Sequence, residues 1–327
     1  LYNMLAISKL SYVASFCAPD TAVLDAEKRA LQLLTRGPWN SFHPNMVKNT
    51  KMLGMPTQAI DLTTMSIASR VRVAQSTSCN VFVCHEQLER VYKSDALISC
   101  FVDRNFINSS CIETVCEAYF SYIVRFNFDD ASFSQKEVYH SLFSSGDPFD
   151  VVNYLKLKLD MRFEIDEVIS YDDDTVRSLI QSYRVCSKKF GFAVTFSHVR
   201  AVCNHWCTKS RFGNKSAGCA FGCGHPNDRI AHTLICPKFW ELLFSFTHTD
   251  LIDLDLFDVL LLFHHYDNSF ASLRSIVLIG THMCFLCYHA CRHGKTFDRR
   301  LLQHHLSHYC RSHRNVAKAI RESFPIP

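Results

Sequence analysis

Residues 218–240 read GCAFGCGHPNDRIAHTLICPKFW, and the folding of this stretch decides the architecture of the last third of the chain. Cys219-x3-Cys223-x8-His232-x3-Cys236 places three thiols and one imidazole within eighteen residues. Thiolate and imidazole are the ligands Zn²⁺ prefers, and a structural site takes four of them in a tetrahedron. Gly218, Gly222 and Gly224 make the turn carrying the first pair flexible enough for both sulfurs to face one centre. Asp228 is placed to cap a helix starting at Arg229, on which His232 and Cys236 fall at i and i+4 on one face. The expectation is a small loop followed by a ligand-bearing helix, with structural zinc supplying folding free energy. Two other readings stay open here. The four groups are ordinary buried side chains, or His225 replaces His232 by the loop folding back.

The rest of the chain supports a helical setting for this loop. Hydrophobic residues make up 48% of the 327 residues and charged ones 20%, enough for a real core and against disorder. Only 10 glycines and 9 prolines are present, which favours long helices over a many-turned sandwich or barrel. The fold class expected is mainly α, in four segments: 1–75, 76–185, 186–245 around the cysteines, and 246–327 ending in a basic helix. Sixteen cysteines and seventeen histidines occur without a signal peptide, since Leu1–Phe16 carries Lys9 and runs on in helical pattern. The thiols therefore read as reduced, mostly buried, with a minority on metal. The missing initiator Met reads as a fragment of a longer chain. The most apolar run, Ile276–Tyr288, is 13 residues with His282 inside. It falls short of the ~20 residues a span needs, so no membrane partner is expected. A net charge of +4 permits a nucleic-acid partner without demanding one.

Punctuation marks the first helices. Leu1–Phe16 is amphipathic. Asp20 or Thr21 opens a helix through DAEKRALQLLTR that stops at Gly37-Pro38. A third starts near His43-Pro44 and ends at Gly54. A fourth, Thr57–Val73, turns Ile60, Leu62, Met65, Ile67 and Ala68 inward and carries Arg70 and Arg72 near its end. Further apolar helical segments fall at Val81–Val91, Ile112–Phe126, Val138–Phe143 and Val151–Met161. Helices are also expected over Ser197–Cys207, Ser269–His293 and Thr296–Ser323. Cys284, Cys287 and Cys291 recur at i, i+3, i+7 and read as a core stripe rather than a second metal site, and Cys203 with Cys207 reads as packing beside the loop.

Two acidic strings imitate a polymerase motif. Tyr171-Asp172-Asp173-Asp174 matches Y-x-D-D, and Phe126-Asn127-Phe128-Asp129-Asp130 contains F-x-D-D. That chemistry needs paired aspartates on a hairpin turn holding two Mg²⁺ ions. Neither string has strand alternation around it, and Asp172–Asp174 stand where a helix cap and first-turn acids belong. No Walker loop, G-x-S-x-G or H-E-x-x-H occurs, so no catalytic residue is assigned.

The stretch Lys9–Asn40, KLSYVASFCAPDTAVLDAEKRALQLLTRGPWN, resembles the thumb that follows the palm in non-LTR (LINE-type) retrotransposon reverse transcriptases. VRAVCNHWCTKSRFG, CAFGCG and HTLICPKFW, between Val199 and Trp240, resemble that family's C-terminal cysteine–histidine knuckle, in the family's order. The resemblance implies an RNA-directed DNA polymerase whose catalytic carboxylates, with their Mg²⁺, lie upstream in the palm. It implies knuckle ligands Cys219, Cys223, His232 and Cys236, RNA or DNA as partner, and an intracellular, nuclear location when acting on target DNA. Phosphate contacts are then expected from Lys28, Arg29, Arg36, Lys48 and Lys51 in the thumb-like part and from Lys209, Arg211, Lys215, Arg229 and Lys238 near the knuckle. Phe212, Phe221 and Trp240 are candidates for stacking on bases, with Trp240 also suited to the core. A zinc-stabilised protein-interaction module and a free-standing Cys/His or metal-dependent hydrolase are the alternatives.

Overall fold

The structure is a computed structural model. It describes residues 3, 7, 10, 13–15, 17–35, 41–76, 109–126, 134–146, 149–162, 171–212, 218–247, 254–266 and 271–312. Among these the chain is mainly α-helical and contains no strand. Most of Leu1–Phe16, all of Val81–Val91, Asp129-Asp130, Gly37-Pro38, and the chain beyond residue 312 with Arg314, Lys318 and Arg321 lie outside the described residues.

The helices are α1 (Thr21–Thr35), α2 (Pro44–Lys48), α3 (Leu62–Ser76), α4 (Ser109–Phe126), α5 (Gln135–Ser145), α6 (Val151–Asp160) and α7 (Asp173–Phe190). They continue with α8 (Phe192–Val202), α9 (Ile230–Leu234), α10 (Pro237–Thr247), α11 (Leu256–Leu261), α12 (Ala271–Arg292) and α13 (Arg299–Ser312). Short 3₁₀ turns cover Thr50–Leu53 and Lys209–Phe212. The chain divides into two compact units, Leu1–Leu31 with Ala59–Phe149, and Gln32–Gln58 with Asp150–Pro327. Gln32–Gln58 thus groups with the C-terminal half rather than with the other residues of segment 1–75.

In the first unit α3 packs on α4 and α5. Its core joins Ala68, Val71, Ala118, Tyr122, Val138 and Tyr139, with Ile60, Met65 and Ile67 partly buried against it. Helix α3 begins at Leu62 rather than at Thr57, because Asp61 Oδ1 accepts from the Thr64 N–H and fixes the start there. Arg70 is buried and donates to the Thr114 carbonyl.

In the second unit α12 is central, packing on α8, α9, α10, α11 and α13, while α7 packs on α6, α8 and α11. The α12 residues Val277, Leu278, Ile279, Met283, Cys284 and Cys287 are buried; each large aliphatic side chain so enclosed is worth about 1.5–3 kcal/mol. Cys291 is buried as well, so the cysteine stripe is core. Leu273–Arg292 is long and apolar enough by composition to cross a membrane, and over half of it is buried inside the protein.

The Asp172 carboxylate accepts from the Thr175 N–H and caps α7, the role expected for that acidic run. The helix expected over Ser197–Cys207 is displaced. Gly191, at φ 85, separates α7 from α8, and α8 ends at Val202 before Asn204 turns into the left-handed region at φ 52. Cys203 and Cys207 therefore do not share a helical face.

Candidate metal centre

Backbone geometry brings the two halves of the site together. The Cys219 N–H donates to the His225 carbonyl at 2.9 Å and closes the loop. Within it the Gly222 N–H donates to the Cys219 carbonyl. Gly222 and Gly224 take φ 71 and 88, which a side-chain-bearing residue rarely adopts. Pro237 opens α10 and prevents α9 from continuing. Cys236 therefore stands at the junction between the two helices, not at i+4 on the helix that carries His232, as spacing alone suggested. The junction still delivers both groups to one place.

The Sγ atoms of Cys219, Cys223 and Cys236 and a ring nitrogen of His232 all lie within 4.8 Å of one another. Cys219 and Cys236 sulfurs are 3.7 Å apart, and Cys223 Sγ is 3.1 Å from His232 Nε2. This Cys₃His group can hold a metal ion. The Cys236 thiol donates to the Cys219 sulfur, and the backbone N–H groups of Phe221 and Cys223 also point at it. Together they push the Cys219 thiol well below its ordinary value against the opposing effect of burial. Cys236, keeping the shared proton, is pushed up. Those N–H groups suit a thiolate and need no rearrangement to serve one.

His225 does not take the place of His232, which is the imidazole grouped with the three thiols. Its ring lies flat against His232, with centroids 3.8 Å apart and planes 7° apart, and its Nδ1 accepts from the Asn227 N–H. It buttresses the ligand ring.

Beneath the loop is an aromatic floor. Phe221 is buried, 4.6 Å from the Phe297 ring and 5.4 Å from Phe239. Trp240 is buried and its Nε1–H donates to the Leu234 carbonyl at 2.6 Å. Neither side chain is available to stack on a base, so both are withdrawn from that role; the Phe212 side chain is not among those described. Sequence reasoning treated these aromatics singly and missed that they form one layer with Tyr288 and Phe297.

Asp228 also departs from expectation. It makes no cap hydrogen bond to α9. It is wholly buried, and its Oδ2 accepts from the Lys209 N–H at 2.8 Å and from the Tyr288 hydroxyl at 2.7 Å. Its carbonyl accepts from Ser210 Oγ. Asp228 thus ties the loop to the 209–212 turn and to α12, with the signal for this lying in residues far along the chain.

Of the expected phosphate contacts, Lys28, Arg29, Lys51, Arg211, Arg229 and Lys238 are exposed and Lys209 is half-buried, whereas Arg36 and Lys215 lie outside the described residues. Lys48 is buried and is not a surface contact, because the short α2 turns it into the unit. Lys238 Nζ donates to the Gly222 carbonyl at 3.3 Å, which holds its ammonium over the ligand loop. No family model, curated protein or solved structure matches the chain.

Proposed function

We propose that the chain is the nucleic-acid-holding part of a non-LTR retrotransposon reverse transcriptase, thumb-like at its start, and that Cys219, Cys223, His232 and Cys236 bind a structural Zn²⁺. For a tetrahedral ion with Zn–S bonds of about 2.3 Å, the sulfur–sulfur edge is about 3.8 Å. The Cys219–Cys236 separation of 3.7 Å fits it. Four protein ligands leave no open position, so the ion supplies folding free energy and no chemistry. The resemblance assigns the Mg²⁺-dependent polymer synthesis to a palm outside this stretch. Asp172 caps a helix, so no catalytic role falls to the acidic run.

One observation carries the nucleic-acid reading. The elements around the ligands also present exposed cations: Arg229 just before α9, Lys238 on α10 above the loop, and Arg211 on the turn tied to Asp228. Lys28, Arg29 and Lys51 are the matching exposed cations in the thumb-like part. Contact is through phosphates of RNA or of target DNA in the nucleus, since the Phe221 and Trp240 side chains are spent on the floor of the loop. The test is equilibrium binding to a labelled RNA hairpin and a DNA duplex at several salt concentrations. Log affinity is expected to fall linearly with log salt, by about 0.9 per duplex phosphate neutralised. Arg229→Ala and Lys238→Ala together should flatten the slope, and Cys223→Ser with Cys236→Ser should abolish both zinc content and binding. No binding at low salt by the zinc-loaded protein removes the nucleic-acid reading and leaves a zinc-stabilised interaction module.

A further inference from the structure

Arg162 follows the C-terminus of α6, and its Nε and Nη2 are buried without any hydrogen-bond partner. The ionisable groups that act on it are Arg211, which repels it, and the Cys203 thiol. Among the described residues no carboxylate does so. Burial, with Arg211 adding to it, pushes the guanidinium down to about 10. A guanidinium with two nitrogens enclosed and unpaired, repelled by a second cation and facing no anion among the described residues, is a costly arrangement that stability alone does not explain. Arg211 is anchored at one edge only, its Nη1 donating to the Asn204 carbonyl at 2.6 Å. Asn204 Oδ1 is a buried acceptor without a partner in that segment, but it is neutral, so it cannot offset the charge of the two guanidinium groups.

We infer that Arg162, with Arg211, is a receptor for a phosphate group, either a phosphodiester of a nucleic-acid strand or free phosphate. A carboxylate offers one edge, which a single guanidinium fork fills. A tetrahedral phosphate offers several, so two guanidinium groups can share it and its charge relieves their repulsion. The site uses none of the four thiol and imidazole ligands and does not need the nucleic-acid reading to hold.

The experiment is thermal unfolding of the whole chain in sodium phosphate against sodium chloride of equal ionic strength, for wild type, Arg162→Met and Arg162→Gln. In chloride, the neutral variants are expected to melt at or above the wild-type temperature, because the unpaired charge is gone. In phosphate, the wild type rises with concentration and the variants keep only the general salting effect common to all three. The source is separated by binding of an oligonucleotide at low salt. A several-fold loss in the variants assigns the site to a phosphodiester, and unchanged oligonucleotide binding with a lost phosphate response assigns it to free phosphate. Equal phosphate responses in all three proteins overturn the inference, as does a lower melting temperature of both variants in chloride with the phosphate increment intact. Loss of oligonucleotide binding in the Cys223→Ser, Cys236→Ser protein with the phosphate response preserved separates a failure of the knuckle from a failure of this site.

Discussion

Position 280, in the middle of α12, has no room for a methyl group. A Cβ there falls 2.5 Å from two ring carbons of Trp240 and 2.8 Å from a Leu243 methyl. Helix propensity favours alanine over glycine by about 1 kcal/mol, so propensity and packing oppose each other, and packing wins. Gly280→Ala is expected to destabilise by about 1–3 kcal/mol, the usual cost of overfilling a packed core. A urea midpoint equal to or above that of the wild type contradicts the close approach. The sequence shows Gly280 only as one member of an apolar run, since its contact with Trp240 is made across the fold. The candidate ligand group was legible for the opposite reason. Their residue types carry the chemistry and their spacing is local, so Cys219, Cys223, His232 and Cys236 stand out before any packing is known. Asp228 was read by the same local logic and misassigned, because the tyrosine that claims its carboxylate sits on α12.

Helix boundaries follow the chemistry of single residues where a cap or a breaker is present. Asp172 acts at the position its type suggests, accepting from the Thr175 N–H, and Gly54 takes φ 78 at the end of a 3₁₀ turn, although α2 itself stops earlier, at Lys48. Two signals of equal strength went unread. Pro237 separates α9 from α10, and Ser134-x-x-Glu137 is a capping box in front of α5. In that box the Ser134 hydroxyl accepts from the Glu137 N–H, and the Glu137 carboxylate accepts from the Ser134 N–H. Ser134→Ala should cost about 1 kcal/mol. Because α5 packs on α3, its unravelling is expected to speed amide exchange in the first turn of α5 before it lowers the melting temperature. Unchanged exchange at Glu137 and Val138 shows that tertiary packing alone holds this helix end.

At the scale of the whole molecule, acid sensitivity is set by histidines the fold buries in neutral form. His198 is fully enclosed: its Nδ1 meets the Tyr183 hydroxyl at 2.7 Å and its Nε2 meets the Val259 carbonyl at 2.7 Å. Burial pushes it down to about 4. His205 is also pushed to about 4, by burial and then by Arg200, and His264 likewise, by burial and then by Arg274. In the unfolded chain each of these returns to about 6.5. Between about 6.5 and 4 the unfolded state therefore binds more protons than the folded one, and stability falls as pH drops through that window. Near pH 5 each of the three contributes close to one proton taken up on unfolding. The Asp172 cap adds to the same trend at lower pH, since its carboxyl is held below the usual range by the Thr175 N–H and hydroxyl. Loss of an ion from the Cys₃His group in acid would act in the same direction and has to be separated from the histidines. His264→Asn supplies that separation, because it removes one histidine, bonded to Ser182, and leaves all four metal ligands in place. The slope of unfolding free energy against pH near pH 5 should shrink by nearly one proton in this variant, about 1.4 kcal/mol per pH unit if His264 is fully withdrawn from water and less as solvent reaches it. An unchanged slope shows that His264 is protonated in the folded protein and leaves the acid sensitivity to His198, His205 and the carboxylates.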